Sequence, residues 1–145
     1  MIRAYSWPTP NGHKVHIMLH ECGLEHEIIP VNIGDGDQFE PEFLDISPNN
    51  RIPAIVDTDG PGGKEIAIFE TGAILYYLAQ KTGMFMPDAA SDPAGHYAVM
   101  EWLMWQMGGI GPMMGQANHF RRYAPDRIEY ATNRYANETK RLFGV

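Results

Sequence analysis

The sequence holds a single cysteine, Cys22, and that scarcity excludes an intramolecular disulfide and any paired-thiol redox or zinc motif. Whatever the chain does with thiols must therefore borrow its sulfur from a ligand. No apolar run approaches the roughly 18 residues that a membrane-crossing helix requires, and Met1-Ile2-Arg3-Ala4-Tyr5 enters a strand-like pattern without a signal-peptide core. These gaps predict a cytoplasmic protein without membrane association. Positive charge is also short: 11 Lys and Arg stand against 18 Asp and Glu, giving a formal net charge of −7. Nucleic-acid binders draw most of their affinity from a positive surface, so that class is not expected. The shortage is uneven. Residues 1–114 carry 5 basic and 15 acidic side chains, whereas residues 115–145 carry 6 and 3. Arg121, Arg122, Arg127, Arg134, Lys140 and Arg141 are thus either a solvated helix face or a source of cations for an anionic ligand.

What remains is ordinary globular material, 145 residues that are 44% apolar and 20% charged, enough for one domain or two small ones. Ile2 to Ser6 reads as a strand, broken by Pro8, Pro10 and Gly12. Val15, Met18, Leu19 and Cys22 then recur at helical spacing until Gly23, and Glu27 to Ile33 alternates as a second strand. Phe39 to Ile46 has the makings of a short helix. The runs Ile52–Asp57 and Glu65–Phe69 flank turn residues around Gly60-Pro61-Gly62-Gly63 and predict two antiparallel strands. Thr71 is a good N-cap for a helix that buries Ile74, Leu75 and Leu78 and stops at Gly83. The order β-α-β-(α)-β-β-α is that of a small α/β sandwich. Residues 84–93 read as a linker, followed by helices over about Ala94–Met107 and Pro125–Phe143, with an interruption at Gly108-Gly109-Ile110-Gly111-Pro112.

Four stretches carry a resemblance: Thr9-Pro10-Asn11-Gly12-His13-Lys14-Val15, Ser47-Pro48-Asn49-Asn50-Arg51-Ile52-Pro53-Ala54-Ile55-Val56, Phe69-Glu70-Thr71-Gly72-Ala73-Ile74-Leu75, and Gln106-Met107-Gly108-Gly109-Ile110-Gly111-Pro112-Met113. Together they resemble the glutathione transferase superfamily, and within it the nu-class of bacterial glutathione-dependent disulfide-bond reductases. The resemblance implies a thioredoxin-like glutathione-binding domain over residues 1–83, a linker at 84–93, and an all-α domain over 94–145 that stops short of the helices relatives go on to form. It implies that the Pro53 peptide bond is cis and offers the Ile52 backbone to the cysteinyl part of glutathione. It implies a homodimer, with glutathione as cosubstrate and no metal.

Glutathione carries an ammonium and a carboxylate at one end, a carboxylate at the other, and a thiol between. At the start of the helix opened by Glu70-Thr71, the free N–H groups and positive dipole end attract a carboxylate, Thr71 adds a hydroxyl, and Glu70 can take the ammonium. Plain capping by Thr71, with Glu70 in solvent, is the alternative. The thiol site is expected where the first helix begins, at Thr9 and Asn11. A free thiol titrates near 8.5, so making it mostly thiolate at neutral pH needs a shift of about two units, or about 2.7 kcal/mol. Hydrogen bonds to a charged group contribute about 1.5 to 3 kcal/mol each, so Thr9, Asn11 and the helix N–H groups suffice without a protein cysteine. Ordinary capping is again the alternative. Tyr5 and Ser6 rank below Thr9 because both precede the Trp7-Pro8-Thr9-Pro10 turn. The resemblance adds Gln38 and Arg51 near the glycyl carboxylate, and Arg134 as a basic residue of the helical half facing the site.

His13, His16 and His20 share a helix face, a spacing compatible with a transition metal, but no thiolate or carboxylate joins them and metal binding is not expected. Cys22 belongs to the apolar face and reads as a small hydrophobe. Met100, Trp102, Leu103, Met104, Trp105 and Met107 crowd one helix on several sides, which calls for burial against a core, a partner or both. The second substrate is expected to be a small disulfide or an electrophile. Disulfide reduction, conjugation to an electrophile and glutathione binding without turnover all remain open at this level.

Overall fold

The structure, a computed structural model, describes residues 1–145, which divide into two compact units at Met1–Ser91 and Asp92–Val145. In the first unit, strand β1 (Ile2–Ser6) leads to helix α1 (Pro10–Glu21), followed by β2 (His26–Pro30), a short helix α2 (Pro41–Leu44), β3 (Ala54–Asp57), β4 (Ile66–Phe69) and α3 (Thr71–Thr82). The four strands form one sheet in the order β2-β1-β3-β4. β1 pairs in parallel with β2 and antiparallel with β3, and β3 pairs antiparallel with β4. This mixed sheet between helical layers is a thioredoxin-like arrangement.

Period-two alternation on β1 builds both faces of the core. Ile2 and Ala4 point to one side, where they meet Val15 and Leu19 of α1, Ile55 of β3, and Ile74 and Leu78 of α3. Tyr5 points to the other side, into a smaller cluster with Val31, Phe43 and Ala54. Burying each large aliphatic side chain contributes about 1.5 to 3 kcal/mol, so the first cluster is what fixes α1 and α3 against the sheet. Both helices stop at glycines in left-handed conformation, Gly23 (φ 62°) and Gly83 (φ 69°), where a Cβ would be strained.

The second unit contains α4 (Pro93–Trp105), a π-helical turn (Gln106–Ile110), α5 (Gly111–Arg122) and α6 (Glu129–Leu142). Here the expected two helices become three. Gly108 to Pro112 does not interrupt the helical path; the Gly111 N–H donates to the Gln106 carbonyl five residues back, and Pro112 occupies the first turn of α5, where its missing donor costs nothing. A Cβ on Gly111 would lie only 3.3 Å from the Gln106 carbonyl oxygen. α5 and α6 pack with the rings of Phe120 and Tyr135 stacked at 5.5 Å. Strand bounds also shorten relative to expectation: β2 ends at Pro30, and Ile33 is exposed in the loop beyond it.

A polar clasp ties α3 to the end of β3. The Asp57 carboxylate, 1% exposed, accepts hydrogen bonds from the Tyr77 hydroxyl at 2.6 Å and the Asp59 N–H at 3.0 Å, and pairs with the Lys81 ammonium at 2.9 Å. Burial alone would raise the Asp57 carboxyl, but these partners outweigh it and hold it below the usual carboxylate range. Burial and the bond to Asp57 together push the Tyr77 phenol up. Asp57→Ala leaves a phenol and an ammonium without their acceptor, and is expected to destabilise the chain by about 3 kcal/mol, read from the urea midpoint. Because the folded carboxyl lies below the unfolded value, its stabilisation is complete above about pH 4 and declines as pH falls through the folded value. The urea midpoint of Asp57→Asn should accordingly fall less than that of the parent chain below pH 4.

Candidate functional site

Strand register brings three chain segments to one edge of the sheet. Tyr5 pairs with Ala54, and Ala54 pairs with Phe69. The residues that follow β1, those that precede β3 and those that follow β4 therefore emerge side by side: Thr9 and Asn11, then Ile52 and Pro53, then Glu70 and Thr71. The loop after β2 leaves from the same end, since Ser6 pairs with Pro30 and the Val31 N–H donates to the Ser6 carbonyl at 2.9 Å.

Thr9 is the N-cap of α1, in extended conformation, with its Oγ1 accepting the Gly12 N–H at 3.2 Å. Accepting that bond leaves the hydroxyl proton free to donate, so capping and ligand contact are compatible. Pro10 has no N–H, Gly12 is engaged with Thr9, and the His13 N–H donates to the Thr9 carbonyl at 2.9 Å. The Asn11 N–H is thus the open donor of the first turn, beside an exposed Asn11 amide. Gly12 is needed here for space: a Cβ would collide with the Trp7 carbonyl oxygen and would stand 2.5 Å from Ser6 Oγ. Ser6 is buried beneath this turn with its hydroxyl unpartnered, and Tyr5 packs on Phe43. Neither presents its hydroxyl as Thr9 does.

The middle segment carries the cis Ile52–Pro53 bond. Its approach is held by the fully buried Ser47, whose hydroxyl donates to the Arg51 carbonyl at 2.9 Å. Ile52 is half-buried, packed on the Val31, Phe43 and Ala54 cluster, and its backbone N–H and C=O make no hydrogen bond within the chain. Arg51 beside it is exposed.

At the third segment the structure corrects one expectation. Thr71 is the first helical residue, and Glu70 is the N-cap, without any side-chain capping bond. Glu70 sits at φ 71°, ψ 118°, a conformation that costs a non-glycine residue about 1 to 3 kcal/mol and that concentrates at ligand-binding sites. The consequence is a helix whose first N–H groups, at Thr71, Gly72 and Ala73, point outward uncapped, with a carboxylate standing free next to them. Thr71 itself is 4% exposed. The site thus offers an anion cradle with an adjacent acidic group at α3, and hydrogen-bond donors for a second anion at α1.

Other predicted residues stand apart. Gln38 lies in a one-turn 3-10 helix, its Nε2 reaching back to the Ile33 carbonyl at 3.5 Å while its Oε1 is buried without a partner. Arg134 belongs to the second unit, where it lines a cavity of about 720 Å³ with Met113, Tyr130, Asn133 and Arg141. His13, His16 and His20 are joined on their face by His26, whose ring meets that of His20 at 4.8 Å. Burial and the neighbouring imidazoles push His16 down, and no group of three or more potential ligands is arranged to hold a metal ion. Cys22 is half-buried with its sulfur 3.6 Å from the Thr82 hydroxyl.

Lys14 was not anticipated. It is half-buried on α1, one turn beyond Asn11, and lines with Ile17, Met18 and Leu75 a cavity of about 320 Å³ between α1 and α3. Burial pushes its ammonium down, and the nearby Glu70 carboxylate acts in the opposite direction. Its isolation was the available signal: it is the only Lys or Arg between Arg3 and Arg51.

Residues 9–81 match the family model described as the glutathione S-transferase N-terminal domain. The chain belongs to this family. It is 52% identical over 146 residues to the disulfide-bond oxidoreductase YfcG of Escherichia coli (strain K12), covering 100% of this chain and 66% of that protein. Among solved structures, a glutathione transferase family member from Pseudomonas fluorescens pf-5, with two glutathione bound, superposes at a TM-score of 0.94 with 50% identity, covering 99% of this chain and 63% of that one. A glutathione transferase from Pseudomonas putida, with one glutathione disulfide bound per subunit, gives 0.93 and 50%, covering 99% and 62%. The chain therefore spans slightly under two thirds of the length of these relatives.

The crowding at Gly12 generates a test within this family fold. Glycine to alanine inside a helix ordinarily stabilises by about 1 kcal/mol. Here the added methyl meets backbone, so Gly12→Ala should instead destabilise by about 2 kcal/mol, measured by thermal unfolding of the full chain.

Proposed function

We propose that this chain is the glutathione-binding part of a glutathione-dependent disulfide-bond reductase. The observation that carries the reading is the shared sheet edge: one helix start with Thr9 and Asn11, another with Glu70 and Thr71, and the unpaired Ile52 backbone between them. In this reading the α3 N-terminus and Thr71 take the γ-glutamyl carboxylate, and Glu70 takes the ammonium. The Ile52 backbone, on the cis Pro53 turn, pairs with the cysteinyl amide. Thr9 and Asn11 donate to the sulfur and hold it as thiolate. Gln38, Arg51 and Arg134 complete the proposed binding set on the strength of the family resemblance alone.

The thiolate attacks one sulfur of a small disulfide, forming a mixed disulfide and expelling the other sulfur as a thiolate that takes a proton. A second glutathione attacks the glutathionyl sulfur, giving oxidised glutathione and the second thiol. Two electrons pass from two glutathiones to one disulfide, and neither a protein cysteine nor a metal takes part. A need for reduced glutathione favours the cytoplasm as its location, since thiols are kept reduced there. Residues 1–83 form the glutathione-binding domain in this scheme, 84–93 the linker and 94–145 a helical domain. The solvent-facing Tyr97, Trp102 and Met104 of α4, each at least half exposed, support a homodimer.

Replacing Thr9 and Asn11 together by alanine should lower the reduction of 2-hydroxyethyl disulfide about a hundredfold, the equivalent of the thiolate stabilisation removed. Retention on immobilised glutathione should persist. Unchanged turnover would remove the thiolate role, and conjugation of an aryl halide at a rate exceeding disulfide reduction would reassign the reaction to transfer.

A further inference from the structure

We infer that His13, His16, His20 and His26 form an acid-sensitive latch between α1 and the edge strand β2. Neutral imidazoles let the Thr9–Asn11 helix start sit firmly; protonated ones repel one another and loosen it. The latch itself is a matter of stability, and its control of ligand affinity rests on the glutathione reading.

The cluster spans two elements. On α1 the rings of His13 and His16 meet edge to face at 6.0 Å, and His20 follows His16 by four residues, one turn along the same side of the helix. From β2, the ring of His26 meets that of His20 at 4.8 Å. That ring is pinned, because its Nδ1 donates to the Leu24 carbonyl at 2.7 Å. His26 pairs with Ile2 in the sheet, and so faces α1 as Ile2 does. His16, in the middle of the row, has its Nε2 buried without a partner. Protonation there would place a charge where no acceptor waits.

Compensating charge lies elsewhere. The first turn of α1 holds no acid, and Lys14 and Glu21 line the cavity toward Leu75 of α3. On β2, Glu27 alternates to the opposite sheet face in register with Arg3, and Glu25 is exposed ahead of the strand. The charges that bear on His16 are those of His13, His26 and His20; burial first, then these neighbours, push it down. The folded chain therefore resists protonation here more than the unfolded one does. Full stability holds above about pH 6.5, the ordinary imidazole value, and is lost as pH falls from there through the folded value. His13 carries the effect to the site, since its N–H closes the first turn of α1 on the Thr9 carbonyl at 2.9 Å.

The test follows the full chain and two variants between about pH 7.5 and about pH 5.5, on either side of the ordinary imidazole value. Urea midpoints report the latch, and calorimetry with S-methylglutathione, whose sulfur cannot titrate, reports the site. In the parent chain the midpoint should drop over this range and the affinity should fall about fivefold, the scale of coupling between linked sites. His16→Leu, which removes the buried imidazole, should flatten both profiles and leave the affinity change within about twofold. His20→Gln combined with His26→Gln keeps His16 but removes two of its neighbours. That variant should flatten the profiles in part, and it carries the comparison should His16→Leu fail to fold. Variant profiles as steep as the parent's would overturn the inference. So would binding that tightens toward acid, which would mark the imidazolium groups as a direct attraction for the anionic ligand. A midpoint that responds as expected while S-methylglutathione binds at neither pH would instead remove the glutathione reading and leave the latch standing.

Discussion

Everything at the candidate site depends on how β1 sits in the sheet. As a central strand it pairs in parallel with β2 on one side and antiparallel with β3 on the other, and β3 in turn brings β4 alongside. This register fixes which loops share an edge. A slip of one residue between β1 and β3 would turn the Ile2 and Ala4 side chains out of the core formed with Val15, Leu19, Ile74 and Leu78. The apolar packing that stabilises the domain and the alignment of the two helix starts are one and the same constraint.

On that frame the two helix starts differ in a way that suits different partners. At α1, Thr9 engages one N–H and Pro10 removes another, so little beyond the Asn11 donors and the Thr9 proton remains for a ligand. At α3 no side chain caps the helix, and several N–H groups stay open next to Glu70. The α1 start is narrow and suits a single anionic atom. The α3 start is broad and suits a carboxylate with its neighbouring ammonium. A strained Glu70 is the cost of that openness, and the α3 helix can sustain it because Ile74 and Leu78 are fully buried.

Much of the first unit was legible in the sequence because its signals are local. Helical spacing at Val15, Met18 and Leu19, the turn glycines between β3 and β4, and the glycine stops at Gly23 and Gly83 each announce their own element. What escaped was set by geometry that residue type does not encode. Gly108 to Pro112 has the composition of a break, yet one π-helical turn carries the path into α5, where proline is harmless. Thr71 is a better intrinsic cap than Glu70, yet the chain leaves β4 so that Glu70 takes the cap position. Ile33 continues the alternation of β2, but pairing with β1 ends at Pro30, opposite Ser6.

Candidate site residues divide along the same line. Thr9, Asn11, Ile52, Pro53, Glu70 and Thr71 could be grouped in advance because each sits at an element boundary, and the order of strands predicts which boundaries meet. Lys14 lies inside a helix, where a lysine ordinarily reads as solvated surface. Its place beside Leu75 exists only once α1 and α3 pack side by side, some 61 positions apart in sequence. A lone cation in an otherwise acidic stretch was its one trace, and the apolar stem of a lysine lines a cavity between helices as readily as it lies on a surface.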